Sequence, residues 1–500
     1  MKILLIYPSV TIYGPGKIDP HPPLGLAYLA AYLIKQNKYE VKILDALALG
    51  KDSIIKTGKL TRVGLKDEQI EKMIKEFNPD VVGISIMFTA FAQDGLKTAK
   101  IVKKVNRKII TVLGGAHVSI DPKSIVNNSY VDFAVKGEGE ITFHNLLQAI
   151  KNKKPLRNVT GIIYKSRNRI LENKTTPFID NLDKLPFPAR NLLPMALYDN
   201  PDDLFSMRHP ATTMVTSRGC PGVCIYCSIH AIWGHTWRGR SAENVVDEIE
   251  YLVKDYGIKE IYFQDDSMSI DKKRLMQICD LIISRNIDIK WSTPNGIAHW
   301  TLDKSLLKKM KQAGCYRVTF GIESGNPEIR RWVGKPFSLR QARELTKYAN
   351  KIGLWTVATN IIGFPYETRQ QIEDTINFAI DSDVDFALFF RLGPRPGTLV
   401  YEIFKKEGWL PKDQRLLFSE SVSCRTKFFQ KKELYSIQSQ AYRKFLKYRV
   451  ISFFNPLRLL RKIHSIEDIK YISKLFVGGG RMVLNLLVEE KGVTSKALKG

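Results

Sequence analysis

The sequence predicts an α/β chain made of two parallel-sheet domains and a helical tail, and three observations predict it. From Met1 to about Ile150, short branched apolar runs alternate with helical patterns. That rhythm belongs to a doubly wound parallel sheet, whose ligand crevice lies at the carboxyl ends of its strands. A second alternation starts at Thr213 and runs through six strand–helix units, a partial barrel with its site at the carboxyl-end loops. From about Leu416 the alternation gives way to basic helical patterns. The expected division is 1–150, a connector at 151–210, a barrel at 211–415 and a helical region at 416–500.

Composition narrows the function classes. A chain of 500 residues with 44% hydrophobic and 25% charged content has material for several cores. Six cysteines at this length make no disulfide framework. The apolar run at Ile3–Tyr7 is too short for a signal peptide and reads as a first strand. No uninterrupted apolar stretch reaches about 18 residues, so the expected compartment is the cytoplasm. The formal charge of +27 favours anionic partners without naming one.

In the first alternation the strands are Ile3–Tyr7, Val41–Leu44, Val81–Ile86, Ile109–Leu113 and Phe133–Val135. The helices are Leu24–Ile34, Asp67–Phe77, Gly95–Val105 and Ile141–Ile150, with apolar positions at helical spacing. Loop features gather at the strand ends: Pro8, Ser85, Gly114 with Gly115, and Gly137 with Glu138. Glycines there let the backbone approach a flat or bulky ligand. A nucleotide or flavin pocket would present the same fragments. Residues 151–210 carry a hairpin pattern at Val159–Leu171 and a proline-rich stretch whose Phe178, Leu182, Leu185 and Phe187 need burial.

The barrel strands are expected at Thr213–Thr216, Ile258–Phe263, Ile289–Ser292, Arg317–Phe320, Thr356–Ile362 and Phe386–Phe390, with a helix at Ala242–Tyr256. Directly after the first of them stand Cys220, Cys224 and Cys227, half of the protein's cysteines within eight residues. Soft thiolates so close favour zinc or iron–sulfur chemistry. A closed structural zinc site wants four ligands, and no fourth Cys or His is in step. Three thiolates on a four-iron cluster leave one iron open. Cys279, Cys315 and Cys424 read as packing residues.

The C-x3-C-x2-C spacing, with Tyr226 before the last cysteine, resembles the signature of radical S-adenosylmethionine (SAM) enzymes. The resemblance implies a 4Fe-4S cluster on Cys220, Cys224 and Cys227, with SAM on its open iron and a 5′-deoxyadenosyl radical as product of one-electron cleavage. It implies SAM contacts at Tyr226, Gln264, Asp265, Asp266, Glu323, Ser324 and Gly363, in a TIM-like (β/α)6 barrel. The stretches Pro22–Ala30, Asp45–Ala46, Gly114–Gly115 and Val131–Glu140 resemble the Rossmann-like cobalamin-binding domain that precedes many such barrels. This second likeness implies cobalamin contacts at Pro8, Ser85, Gly114, Gly115, Gly137 and Glu138. The histidine loop that ligates cobalt from below in methionine-synthase-like proteins is missing. His21 is followed by two prolines, so base-off cobalamin without a protein histidine on cobalt is expected.

Residues 431–500 carry 15 Lys and Arg against 5 Asp and Glu, a net of +10. Arg443–Arg449, Phe453, Phe454 and Leu457–Lys462 mix cations with bulky apolars, which suits a barrel cap or a peripheral membrane contact. No nucleic-acid module accompanies the charge. The resemblance implies a cobalamin-dependent radical methyltransferase that methylates an unactivated carbon of a lipid or secondary-metabolite-like small molecule. Its partner would be a one-electron reductant, ferredoxin or flavodoxin. Radical ring formation, rearrangement or carbon–carbon coupling without methyl transfer is the enzyme-class rival. A corrinoid- or cluster-based sensor or docking protein is the non-enzyme rival.

Overall fold

The amino-terminal half contains β1 (Lys2–Tyr7), β2 (Val10–Tyr13), β3 (Glu40–Asp45), β4 (Ile54–Thr57), β5 (Leu60–Val63), β6 (Val81–Ser85), β7 (Ile110–Gly114), β8 (Phe133–Val135), β9 (Ile162–Ser166) and β10 (Arg169–Glu172). These are seen in a computed structural model of the chain, which describes residues 1–14, 18–167, 169–335, 338–413, 424–453 and 456–478. The main sheet has the order β10-β9-β8-β7-β6-β1-β3. Strands β3, β1, β6, β7 and β8 are parallel, and β9 and β10 add an antiparallel hairpin.

Side-chain alternation explains why both faces of this sheet are covered. Ile3 and Leu5 pack with Leu26, Ala30, Leu146 and Leu147 of helices Leu24–Lys35 and Gly139–Lys151. Leu4 and Ile6 pack on the other face with Ile70, Ile74 and Val102 of helices Asp67–Phe77 and Ala92–Val105. Each such buried branched side chain contributes about 1.5–3 kcal/mol over exposure.

Two features differ from the sequence expectation. The hairpin at Val159–Leu171 belongs to the first sheet, which ends at Glu172 and not near residue 150. A small antiparallel sheet, β2-β5-β4, stands beside the main one. In the connector, Leu182 and Leu185 are buried against Leu24 and Tyr28, while Phe178 and Phe187 are only half-buried.

The second half holds β11 (Ala211–Met214), β12 (Ser217–Gly219), β13 (Trp237–Gly239), β14 (Glu260–Phe263), β15 (Lys290–Ile297), β16 (Cys315–Glu323), β17 (Trp355–Ile362) and β18 (Phe386–Arg391). Six of these form an all-parallel sheet in sequential order, β11-β14-β15-β16-β17-β18. Helices Ala242–Tyr256, Lys272–Ser284, Lys304–Gln312, Leu339–Lys351 and Arg369–Asp381 make the crossovers. The barrel core also takes Leu434, Ile437, Ala441 and Phe445 of helix Lys431–Phe453, so the tail closes the β18 side.

The tail's cations divide in a way that helical spacing does not reveal. Arg449 and Lys462 are buried, and with Arg458 they converge on Asp385. Phe445 is buried as well. These four residues therefore leave the basic, apolar surface expected of the tail. The side chains of Phe453 and Phe454, and all of 479–500, lie outside the described residues. Among the described residues no helix is long and apolar enough to cross a membrane.

Candidate active site

Strands β12 and β13 pair antiparallel, Arg218 opposite Arg238, and the loop between them carries all three clustered cysteines. Gly219 begins this loop at φ +86°, and a Cβ there would lie 2.2 Å from the Thr236 carbonyl oxygen. Only glycine fits both the dihedral and the space. Inside the loop the Gly222 N–H donates to Cys220 Sγ at 3.4 Å. A Cβ on Gly222 would stand 3.4 and 3.8 Å from the sulfurs of Cys220 and Cys224, so the chain wraps its thiols around a bare backbone.

Burial, followed by the nearby thiolates of Cys224 and Cys220, pushes the Cys227 thiol up to about 11. Cysteines bind metal as thiolates, and the positive charge of an iron centre offsets the mutual repulsion of thiolates held this close. Among the described residues no three His, Cys, Asp or Glu side chains converge on a single ion. A cubane does not require convergence, because each thiolate binds a different iron. The donor set thus fits a 4Fe-4S cluster. Cys279, Cys315 and Cys424 are buried elsewhere, the first two in the barrel core.

The barrel's carboxyl-end acids separate into distinct tasks. Asp265 is buried and accepts from the Thr216 N–H at 3.1 Å, the Thr216 hydroxyl at 2.7 Å and the Ser217 hydroxyl. It anchors the root of the cysteine hairpin, and a SAM contact through this carboxylate is not what the geometry provides. Asp266 accepts the Gly219 N–H at 2.9 Å and is exposed. Burial first, and Asp265 beside it, push its carboxyl up to about 6. Gln264 is half-buried, and its main-chain carbonyl accepts from Asn295 Nδ2 at 3.0 Å.

Glu323 ends β16 at φ +64° and pairs with Lys335 at 3.5 Å. A Cβ on Gly321 would meet Glu323 Oε1 at 2.9 Å, so this glycine leaves room for the ion pair. Ser324 is fully buried, its hydroxyl 3.2 Å from that of Thr375, so its side chain is structural rather than ligand-facing. Gly363, at φ +83°, donates its N–H to Glu367 at 2.7 Å and lies under Leu434 of the tail helix. Tyr226 packs its ring 6.0 Å from Phe364, which links the cysteine loop to this turn.

At the first sheet, Pro8, Ser85, Gly114, Gly115 and Gly137 come together at the carboxyl ends of adjacent strands. Gly115, at φ +102°, leaves no room for a Cβ beside the Ile86 carbonyl oxygen (2.7 Å), whereas Gly137, at φ +77°, opens into free space. Met87 and Phe88 present large exposed apolar surface beside them. An open glycine rim with exposed apolars fits a broad, flat macrocycle such as a corrin. His117, in the short helix Ala116–Ile120, is buried with Nδ1 3.2 Å from the Thr89 hydroxyl.

Glu138 does not belong to that rim. Its carboxylate accepts from Arg218 at 2.6 Å, from Arg238 at 2.9 Å and from the Ile179 N–H at 2.6 Å. Arg218 also donates to Glu140 at 2.7 Å. These arginines, together with Lys335, are site residues the sequence reading missed. A three-residue strand carries no periodic signal, and cross-strand register is invisible in sequence.

The radical SAM superfamily model matches residues 214–379, and the B12 binding domain model matches residues 19–147. An uncharacterized methyltransferase of Pyrococcus horikoshii is 37% identical over 404 residues, spanning 80% of this chain and 83% of that protein. Cytidylyl-2-hydroxyethylphosphonate methyltransferase of Streptomyces wedmorensis is 31% identical over 452 residues, 83% of this chain and 84% of that protein. Among solved structures, the cobalamin-dependent radical enzyme OxsB aligns with a TM-score of 0.68 at 16% identity, over 100% of this chain and 81% of its own. The methyltransferase TsrM of Kitasatospora setae aligns at 0.65 and 18%, over 82% and 77%. Two domain matches in this order, over the two sheets described above, and relatives aligned along most of the chain lead to one conclusion: the protein belongs to the cobalamin-dependent radical SAM methyltransferase family.

Proposed function

We propose that this enzyme methylates an unactivated carbon of a small anionic molecule, one carrying a phosphate- or phosphonate-like group. The family's cluster and SAM supply a radical that abstracts a substrate hydrogen, and cobalamin supplies the methyl group. Cys220, Cys224 and Cys227 hold the cluster. Asp266, exposed beside the cysteine hairpin, would bind the SAM ammonium, and Glu323, paired with Lys335, would contact the ribose or the methionine end. The Gly363 turn lines the adenine side, while Pro8, Ser85, Gly114, Gly115 and Gly137 bear on the corrin. Ferredoxin or flavodoxin is the expected electron donor.

The observation that carries the substrate class is the basic character of the barrel mouth. At the end of β18 the Arg391 guanidinium carbon stands over the Tyr435 ring, 3.4 Å from its centre. Lys431 stands one helical turn before Tyr435. Its ammonium is pushed down by burial and then by Arg391, with Lys59 from the β4–β5 turn adding to the same field. Cations gathered at the carboxyl ends of barrel strands favour an anionic ligand. The Streptomyces relative, named for a phosphonate nucleotide, agrees with this chemistry. A lipid entering from a membrane has less support. The exposed Ile466, Ile469 and Phe476 lie on the stretch 466–478, whose Tyr471 packs on Tyr316 and Trp355 at the amino ends of the strands.

Anaerobic turnover of a metabolite extract with SAM carrying a trideuteromethyl group tests the reading. Labelled product should be retained by an anion exchanger, and Arg391→Ala with Lys431→Ala should raise KM for it. A labelled product that is neutral or apolar overturns the substrate class. A second reading, ring formation, is favoured by relatives named anaerobic magnesium-protoporphyrin IX monomethyl ester cyclase, the first at 28% identity. 5′-Deoxyadenosine without S-adenosylhomocysteine would select it.

A further inference from the structure

We infer that Glu138 and Glu140 of the first domain, with Arg218 and Arg238 of the cysteine hairpin, form a clasp that sets the position of the cobalamin domain against the cluster loop. Arg218 and Arg238 stand directly opposite each other in the β12–β13 ladder. Like charges at such a pair repel, so the hairpin alone disfavours this arrangement. Glu138 enters from the end of β8 and takes both: Arg218 at 2.6 Å and Arg238 at 2.9 and 3.0 Å. Glu140 takes the second arm of Arg218 at 2.7 Å. The guanidinium groups are backed by aromatic rings, Arg218 by Tyr28 at 5.4 Å and Arg238 by Phe178 at 4.8 Å.

The side chains of Glu138 and Glu140 are 3% and 7% exposed, and those of Arg218 and Arg238 are 13% and 11%. Buried ion pairs of this kind add little net stability over apolar packing, but their direction fixes registration. What they register is specific. Arg218 is two residues from Cys220, and Glu138 is the residue after Gly137, the last glycine of the rim assigned to the corrin. On the barrel side the same hairpin is held by Asp265 and Asp266 through Thr216, Ser217 and Gly219. Four carboxylates, two from each domain, thus grip one hairpin. The four clasp residues are positioning residues: their side chains pair with one another and act through the loops assigned to the cofactors. The inference rests on assigning those loops to the cluster and cobalamin.

The test uses anaerobically reconstituted holoenzyme supplied with a one-electron chemical reductant, comparing wild type with Glu138→Gln, Glu140→Gln and Arg218→Lys, with SAM as the only added ligand. Cluster and cobalamin content should be retained. The magnetic interaction between reduced cluster and cob(II)alamin, read by electron paramagnetic resonance, should weaken. The rate of S-adenosylhomocysteine formation, one per cobalamin as the methyl group passes from SAM to the reduced corrin, should fall by about tenfold to a hundredfold while reductive cleavage to 5′-deoxyadenosine persists, since about 1 Å of misplacement costs up to 100-fold. If Glu138→Gln does not fold, the milder Glu140→Gln and Arg218→Lys decide. Variants that lose melting temperature yet keep the wild-type spin interaction and product ratio make the clasp merely structural and overturn the proposal. Failure of wild type to bind cobalamin or cluster would instead remove the assignments beneath it.

Discussion

Lys462 donates to Asp385 at 2.8 Å, with both side chains 2% exposed, and this contact ties the tail to the foot of β18. Arg449 and Arg458 reach the other oxygen of the same carboxylate at 2.9 and 3.1 Å. The three cations hold the Asp385 carboxyl far below the usual range despite its burial, whereas burial brings Lys462 down to about 8. Removing one partner of a buried ion cluster strands the others and costs about 3–5 kcal/mol. Asp385→Asn should therefore lower the free energy of unfolding by that amount, read as a lower denaturation midpoint, and expose the tail to protease. An unchanged midpoint would mean that the tail docks by apolar packing alone.

Glu367 predicts a pH dependence. Burial pushes its carboxyl up to about 8, although the N–H groups of Gly363 and Phe364 oppose the shift. A raised folded value means the fold prefers the protonated acid. Below the ordinary value of 4.5 both folded and unfolded forms are protonated, and the group costs nothing. As pH rises from there to about 8 the unfolded chain ionises first, so stability falls across that window and then levels off. Glu367→Gln keeps an acceptor for both N–H groups and removes the proton. Melting curves between pH 5 and 9 should show wild type losing ground to the variant as pH rises. Parallel curves would refute the shift.

How much of this was readable in advance depends on where each partner lies in the chain. Helices Asp67–Phe77 and Ala242–Tyr256 match their expected limits, because period and flanking polar residues are local signals. The six barrel strands were legible for the same reason. The hairpin at Val159–Leu171 was legible as a hairpin, but its place beside β8 was not, since strand neighbours are chosen by tertiary packing. Asp265 and Asp266 look interchangeable in sequence. Beyond the end of β14 the chain turns so that Asp265 is sealed against Thr216 while Asp266 stays exposed. Arg449, Arg458 and Lys462 read as surface because their acid lies more than sixty residues upstream.

Cobalamin should bind about once per chain, in the base-off form and without a protein histidine on cobalt. The glycine rim of the first sheet supplies the platform, and His117 is occupied by Thr89. Electron paramagnetic resonance of the cob(II)alamin form should lack nitrogen superhyperfine splitting. Splitting that disappears in His117→Ala or His21→Ala would identify a cobalt ligand and reverse this expectation.

The cysteines give the sharpest division. Cys220, Cys224 and Cys227 share one loop around Gly222, while Cys279, Cys315 and Cys424 are packed into apolar clusters. Changing any of the first three to Ala removes a thiolate that no neighbouring cysteine replaces. Each variant should lose the cluster's charge-transfer absorbance and the cleavage of SAM. Cys279→Ala, Cys315→Ala and Cys424→Ala remove one buried sulfur each, at a cost of about 1 kcal/mol from lost packing, and should retain both properties. Iron analysis after anaerobic reconstitution separates the two sets. A protein with all three loop cysteines changed that still bound four irons would place the cluster elsewhere, and the assignment of this hairpin as the radical centre would fall with it.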